Sequence, residues 1–186
     1  MPKDLPESIP VENQKVVYSG RIWDVVQDTF AFSDQTLVRD YVSHPGAVAV
    51  VAVDDAGRIL LVNQYRHPVK SSLWELPAGL RDLEGELPIE TAKRELLEET
   101  GYIASNVEPL ISFFPSPGGL SEEILVFVAT ELALADTDFV REGEEKTMTS
   151  AFFPLDQVVD SILSGDIKNG PCALAVLAFH AKKARA

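Results

Sequence analysis

Two spacings of apolar residues divide the chain. From Ala47 to Val53 the sequence AVAVVAV is apolar at every position, and a short continuous run of this kind predicts a strand buried on both faces. Asp54-Asp55-Ala56-Gly57 interrupts it and Ile59-Leu60-Leu61-Val62 follows, so the two runs read as a hairpin across an Asp/Gly turn. Upstream, Lys15 to Val42 is written in short β-rich pieces, KVVYSGRIWDVVQDTFAF and TLVRDYV, with turn residues at Ser19-Gly20 and Ser33-Asp34-Gln35. Ile124 to Val128 predicts a further strand. Helical spacing appears in three places. Pro88 to Thr100 has proline in its first turn, strong helix formers and Gly101 as its stop, and Ile89, Ala92, Leu96 and Leu97 supply its apolar arc. Leu155 to Leu163 predicts a short helix ending at Ser164-Gly165. Pro171 to about Lys183 predicts another, with Lys182, Lys183 and Arg185 near its C-terminus, where the helix dipole favours cations.

The organisation that follows is a flexible tail over residues 1–12, an N-terminal β-rich segment over 13–45, and a main domain over 46–186. Strands interrupted by a few helices predict an α/β fold with a mixed sheet and helices packed on it. With 186 residues, one such domain buries enough surface to need no covalent staple. Sixteen Lys and Arg against 29 Asp and Glu leave a net charge of −13. That balance offers no basic footprint, so nucleic acid is not an expected partner. It also means that an anionic substrate calls for a cation as intermediary. The one cysteine, Cys172, lies in an apolar run and reads as a small buried hydrophobe; an intramolecular disulfide and a Cys-based zinc site are excluded. No apolar h-region and no run near the ~20 residues that span a bilayer are found, so a cytoplasmic setting without membrane contact is expected. His44, His67 and His180 are dispersed without metal spacing. No nucleophile elbow, Walker loop or dinucleotide fingerprint is present, which leaves serine hydrolases, P-loop ATPases and Rossmann dehydrogenases without support.

The chemistry gathers in the 88–100 helix. Glu95, Glu98 and Glu99 stand at i, i+3 and i+4, within an arc of roughly 100°. Like charges at i,i+4 destabilise a helix by roughly 0.2–0.5 kcal/mol per pair, and carboxylates in the last turns oppose the helix dipole by roughly 0.3–1 kcal/mol each. A divalent cation reverses both penalties, because clustered carboxylate oxygens are what Mg²⁺ and Mn²⁺ prefer. A solvated acidic helix face is the competing reading of the glutamates alone. Arg94 adds a forked guanidinium beside Glu95, and Glu86 precedes the helix as an acceptor for it. Gly79 and Gly85 bracket the loop that feeds the helix.

In this pattern the chain resembles the Nudix box, the signature of hydrolases that cleave a nucleoside diphosphate linked to another group. Glu86, seven residues, then Arg94-Glu95-Leu96-Leu97-Glu98-Glu99-Thr100-Gly101 matches it without a gap. Six residues rather than five separate Gly79 from Glu86, and Tyr102 fills a usually aliphatic position. Within the family the chain is similar to ADP-ribose pyrophosphatases in Gln64-Tyr65-Arg66-His67-Pro68, in Leu73-Trp74-Glu75-Leu76-Pro77-Ala78-Gly79, and in a proline, Pro117, sixteen residues beyond Gly101.

The resemblance implies a Nudix-type α/β/α sandwich and hydrolysis of ADP-ribose to AMP and ribose 5-phosphate with Mg²⁺ or Mn²⁺. It implies metal binding by Glu95, Glu98, Glu99 and the backbone carbonyl of Ala78, with Glu86, Arg94 and Gly79 orienting them. It implies a general base on the acidic stretch Arg141 to Met148, with Glu145 favoured and Glu144 as the alternative. Arg66, then Arg39, are the candidates for phosphate, with Pro117 and Gly118 in a substrate loop. Trp23, Phe30 and Phe32 are candidate platforms for adenine but read first as ordinary core. Members of that subfamily pair as homodimers through N-terminal strands, which would give the β-rich segment its purpose. Rival readings are a Nudix hydrolase of another nucleoside diphosphate sugar, a dinucleotide or a damaged nucleoside triphosphate, and a non-catalytic sensor on the same fold.

Overall fold

The structure, a computed structural model, describes residues 1–136 and 147–185. Its contacts divide the chain into two compact units: Met1–Pro45 with Ser116–Glu122, and Gly46–Pro115 with Glu123–Ala186.

The first unit is a three-stranded antiparallel sheet in the order β1 (Val11–Ser19), β2 (Asp24–Phe32), β3 (Gln35–Ser43). β1 begins inside the segment read as a tail. The turn expected at Ser33-Asp34-Gln35 is a two-residue loop, Ser33-Asp34; Phe32 faces Gln35 across it, so Gln35 already belongs to β3, and Ser33 takes φ 57°. The loop Ser116–Glu122 is stitched to the end of β3. Val42 donates to the Gly119 carbonyl at 2.9 Å, Ser121 donates to the Val42 carbonyl at 3.0 Å, and the His44 N–H donates to Ser121 Oγ at 2.9 Å. Trp23 and Phe32 are exposed and Phe30 half-buried, which corrects their reading as core: a sheet of three strands has one buried layer at most, and here only Val26 is buried.

The second unit holds β4 (Ala47–Ala52), β5 (Arg58–Arg66), a 3-10 turn (His67–Val69), β6 (Ser71–Glu75), β7 (Ala78–Leu80), α1 (Pro88–Thr100), β8 (Tyr102–Phe113), β9 (Ile124–Leu134), β10 (Thr149–Pro154), α2 (Leu155–Leu163) and α3 (Gly170–Lys183). β7-β4-β9-β8 form a mixed sheet in which β4 and β9 run parallel; β10-β5-β6 form an antiparallel one. The expected β4–β5 hairpin is not made. Its turn exists, since Asp54 Oδ1 accepts the N–H groups of Ala56 (3.0 Å) and Arg58 (2.8 Å). Beyond one bridge, Val53 to Ile59, the strands part. Both edges of β4 are taken, by β9 and β7, so β5 pairs with β6 and β10 instead.

The unbroken apolar run of β4 is explained by two cores. Ala47, Ala49, Val51 and Val53 pack with Leu155, Val158 and Val159 of α2 and Cys172, Ala175 and Val176 of α3. Val48, Val50 and Ala52 pack with Ala92 and Leu96 of α1. Ile59 and Leu61 share the first core and Leu60 the second, as a period of two requires. The unit is therefore an α/β/α sandwich with the helix of acidic residues alone on one side.

Cys172 is fully buried in α3's first turn, its N–H capped by Asn169 Oδ1 at 2.9 Å. Burial pushes its thiol up to about 12, and the charge of Glu75 adds to the effect. Thiolate, the reactive form, is thus scarce at neutral pH. The native protein is expected to resist iodoacetamide and to take up one label per chain in denaturant. Native labelling at a free-thiol rate would contradict this burial.

Candidate active site

α1 starts on Pro88 and ends where Gly101 takes φ 77° and donates to the Leu97 carbonyl at 2.8 Å, the left-handed stop that glycine tolerates best. Its N-terminus has no side-chain cap on Leu87. Instead Thr91, itself buried, donates from Oγ1 to Glu86 Oε2 at 2.8 Å. Glu86 is thereby tied to the helix it precedes.

Arg94 is the hub of the acidic cluster. Its Nε and Nη2 donate to the two oxygens of Glu86, each at 3.1 Å, and its Nη1 donates to Glu95 Oε1 at 2.7 Å and Glu98 Oε2 at 3.0 Å. The fork on Glu86 is the bidentate geometry that arginine forms and lysine does not. The Arg94 and Thr91 hydrogen bonds hold the Glu86 carboxyl below the usual range, and the Glu86 bond, with the charge of Glu95 and the hydrogen bonds to Glu95 and Glu98, raises Arg94 further above its own.

Glu99 and Glu95 meet the backbone of β7. Glu99, only 6% exposed, accepts the Ala78 N–H on Oε2 at 3.0 Å. A Cβ placed on Gly79 would fall on the Glu95 carboxylate, so glycine at 79 is what lets that side chain reach the strand. Gly79→Ala must drive Glu95 away. The expected result is a loss of hydrolytic activity of about tenfold to a hundredfold, checked by steady-state kinetics beside a thermal melt.

Ala78, Gly79, Glu86, Arg94, Glu95 and Glu99 are thus brought together, and Glu98 joins through Arg94. Among the described residues no group of three or more His, Cys, Asp or Glu converges as a metal cage. The three-glutamate cluster expected from the sequence differs here because Glu98 is drawn to Arg94 while Glu99 is drawn to Ala78. The donor chemistry still fits a hard divalent cation. It is all oxygen, and the cradle at Gly79 holds a carboxylate where a side chain would otherwise stand.

Arg66 lies in the same unit, but its Nε and Nη2 grip Glu75, with Nη2 to Oε2 at 2.6 Å. Glu75 is 4% exposed. Sequence reasoning gave it no role, although a charge inside Leu73-Trp74-Glu75-Leu76-Pro77 was the available signal. Thr91 was missed because a threonine three residues into a helix gives none. Arg39 and the loop bearing Pro117 and Gly118 belong to the other unit; Arg39 is exposed there and donates to the Val38 carbonyl at 2.8 Å. Glu144 and Glu145 lie outside the described residues.

Comparison with known proteins agrees with this geometry. The Nudix domain family matches residues 43–171. An ADP-ribose pyrophosphatase of Mycobacterium tuberculosis is 39% identical over 170 residues, 91% of this chain and 82% of that one. An ADP-ribose pyrophosphatase of Bacillus subtilis is 35% identical over 184 residues, 98% of this chain and 97% of that one. The crystal structure of an ADP compounds hydrolase superposes with a TM-score of 0.78 at 21% identity, covering 96% of this chain and 95% of the other; it speaks to the fold. With the box residues assembled on α1 and β7, and the family matched across most of its length, the chain belongs to the Nudix family.

Proposed function

We propose that the protein hydrolyses the diphosphate linkage of ADP-ribose, adding water to give AMP and ribose 5-phosphate, in a reaction that depends on Mg²⁺ or Mn²⁺. The observation that carries this reading is the convergence of Glu95 and Glu99 on Ala78-Gly79, in a chain 35–39% identical to ADP-ribose pyrophosphatases over most of its length. A bound divalent cation supplies neutralisation of the diphosphate and a lowered pKa for water. Glu95, Glu98, Glu99 and the Ala78 carbonyl would hold it, and Arg94 and Glu86 orient them. Glu145, or its neighbour Glu144, accepts the proton of the attacking water. Arg66, positioned by Glu75, contacts the phosphates.

The N-terminal β-rich segment is proposed as a homodimer interface. Val16, Val17, Tyr18, Trp23, Phe32 and Val38 are exposed on it, and apolar side chains gathered on one exposed segment are what an interaction surface offers. Light scattering is expected to give the mass of two chains; a single-chain mass at micromolar concentration removes the interface.

The test of function is product analysis by mass spectrometry with ADP-ribose, other nucleoside diphosphate sugars, dinucleotides and oxidised nucleoside triphosphates. AMP and ribose 5-phosphate formed fastest from ADP-ribose uphold the reading. Preference for another diphosphate keeps the metal helix and moves the substrate; silence on all of them with metal supplied favours the sensor. Glu145→Gln and Glu144→Gln, measured alongside, assign the base.

A further inference from the structure

Arg81 lies just beyond β7, inside the six-residue spacer between Gly79 and Glu86 that is one residue longer than the family pattern. Its N–H continues the β7–β4 ladder, donating to the Gly46 carbonyl at 3.1 Å. Side chains two residues apart on an extended chain share a face. At Gly79 that face is known from two directions. Its absent side chain would point at the Glu95 carboxylate, and its partner Val48 packs in the core beneath α1. Arg81 therefore leaves the sheet on the side of α1, one strand repeat from Gly79, the position that meets Glu95.

Gly46, opposite Arg81, has φ +88°. A Cβ there would meet Arg81 Nη1 at 3.3 Å and Cδ at 3.7 Å. The guanidinium thus lies across bare backbone, and its course depends on the missing side chain. Three other arginines of this unit are locked to carboxylates: Arg58 to Asp54, Arg66 to Glu75, and Arg94 to Glu86, Glu95 and Glu98. Arg81 is only partly exposed, yet among the described residues no hydrogen bond or ion pair engages its guanidinium. In a chain of net charge −13, carboxylate partners are abundant, and Asp82 and Glu84 are near in sequence. A partly desolvated cation left unpaired under those conditions is poised for an anion from outside the chain.

We propose that Arg81 is a substrate-binding residue whose guanidinium pairs with a phosphate oxygen of the nucleoside diphosphate. The carboxylate cluster and Arg81 then lie side by side on one face of β7, the first taking the cation and the second the anion. This inference rests on the hydrolase reading above, and it adds a phosphate contact from within the box loop itself.

Arg81→Gln and Arg81→Lys are compared with the wild-type chain by steady-state kinetics on ADP-ribose with Mg²⁺, by calorimetric titration of ADP-ribose, and by thermal melting. Loss of one charge-assisted contact is expected to raise KM and weaken the titrated affinity about tenfold to a hundredfold in Arg81→Gln. The lysine variant should recover part of the loss, kcat should change by less than about threefold, and the melting temperature should stay put. A KM and affinity equal to wild type overturn the inference, as does a fall in melting temperature with kcat reduced and affinity kept, which marks a structural role. If the wild-type chain turns over no diphosphate, the hydrolase reading fails by that result alone. The calorimetric comparison then still decides Arg81, since equal affinities, or no binding to either protein, refute it.

Discussion

Glu99→Gln is expected to cost about a thousandfold or more in kcat while leaving the fold intact. Glutamine has the shape of glutamate, and its amide oxygen can still accept the Ala78 N–H that Glu99 takes at 3.0 Å. The junction of α1 with β7 is therefore preserved. What disappears is one negative charge in a site that is 94% buried at that residue, facing where a divalent cation would be held. A thousandfold corresponds to ~4 kcal/mol of transition-state stabilisation, which is within what a cation in a dry site supplies. The same change should not destabilise the free protein. It removes like-charge repulsion from Glu95 at i−4 and an anion from the last turn of α1, effects of a few tenths of a kcal/mol to ~1 kcal/mol each. Thermal melting without metal should thus place the variant level with wild type or slightly above it. Adding Mg²⁺ should raise the wild type through ligand linkage and the variant much less. A variant that keeps its activity, or one that melts several degrees lower without metal, would sink the metal assignment.

How much of this could be read in the chain depends on whether the signal is local. α1 was legible to the residue because proline, the apolar arc and Gly101 all lie within it, and the helix alone fixes which side Glu95, Glu98 and Glu99 share. The hairpin reading failed for the opposite reason. The Asp54 turn is local and is present, but the partner of β4 is β9, more than seventy residues on, and nothing between Ala47 and Val62 announces it. β8 escaped notice because Asn106, Glu108 and Pro109 break its apolar pattern and a register shift at Pro109/Ile111 breaks its alternation. The site divides in the same way. The Arg94–Glu98 pair follows from helix spacing at i,i+4. The Arg66–Glu75 pair and the fit of Glu95 against Gly79 require strand register and the packing of α1 on β7, which no spacing in the sequence encodes.

Arg94→Met should be the most damaging change to the stability of the cluster and a severe one for activity. The wild-type guanidinium makes four hydrogen bonds to three carboxylates, all on side chains less than a third exposed. Methionine fills the volume of the stem and satisfies none of them. Glu86, Glu95 and Glu98 would then repel one another and Glu99 with no cation between them. Removing one partner from such a pair is worse than never having had it, since the remaining charges stay desolvated. A melting temperature lower by about 2–4 °C for each kcal/mol lost is expected at this chain length, together with a kcat lowered about tenfold to a hundredfold through misplaced ligands. Arg94→Lys should fall between, because it restores the charge without the fork on Glu86. The pH dependence gives an independent reading. Glu86 is held below its ordinary value by Arg94 and Thr91, so its contribution is present above the unfolded value of about 4.3 and fades as pH falls through the lowered native one. The melting gap between wild type and Arg94→Met should be constant near neutrality and close progressively below about pH 4. A gap that opens as the solution is acidified would mean that the cluster is not held by Arg94, and that the carboxylates of α1 find their order elsewhere.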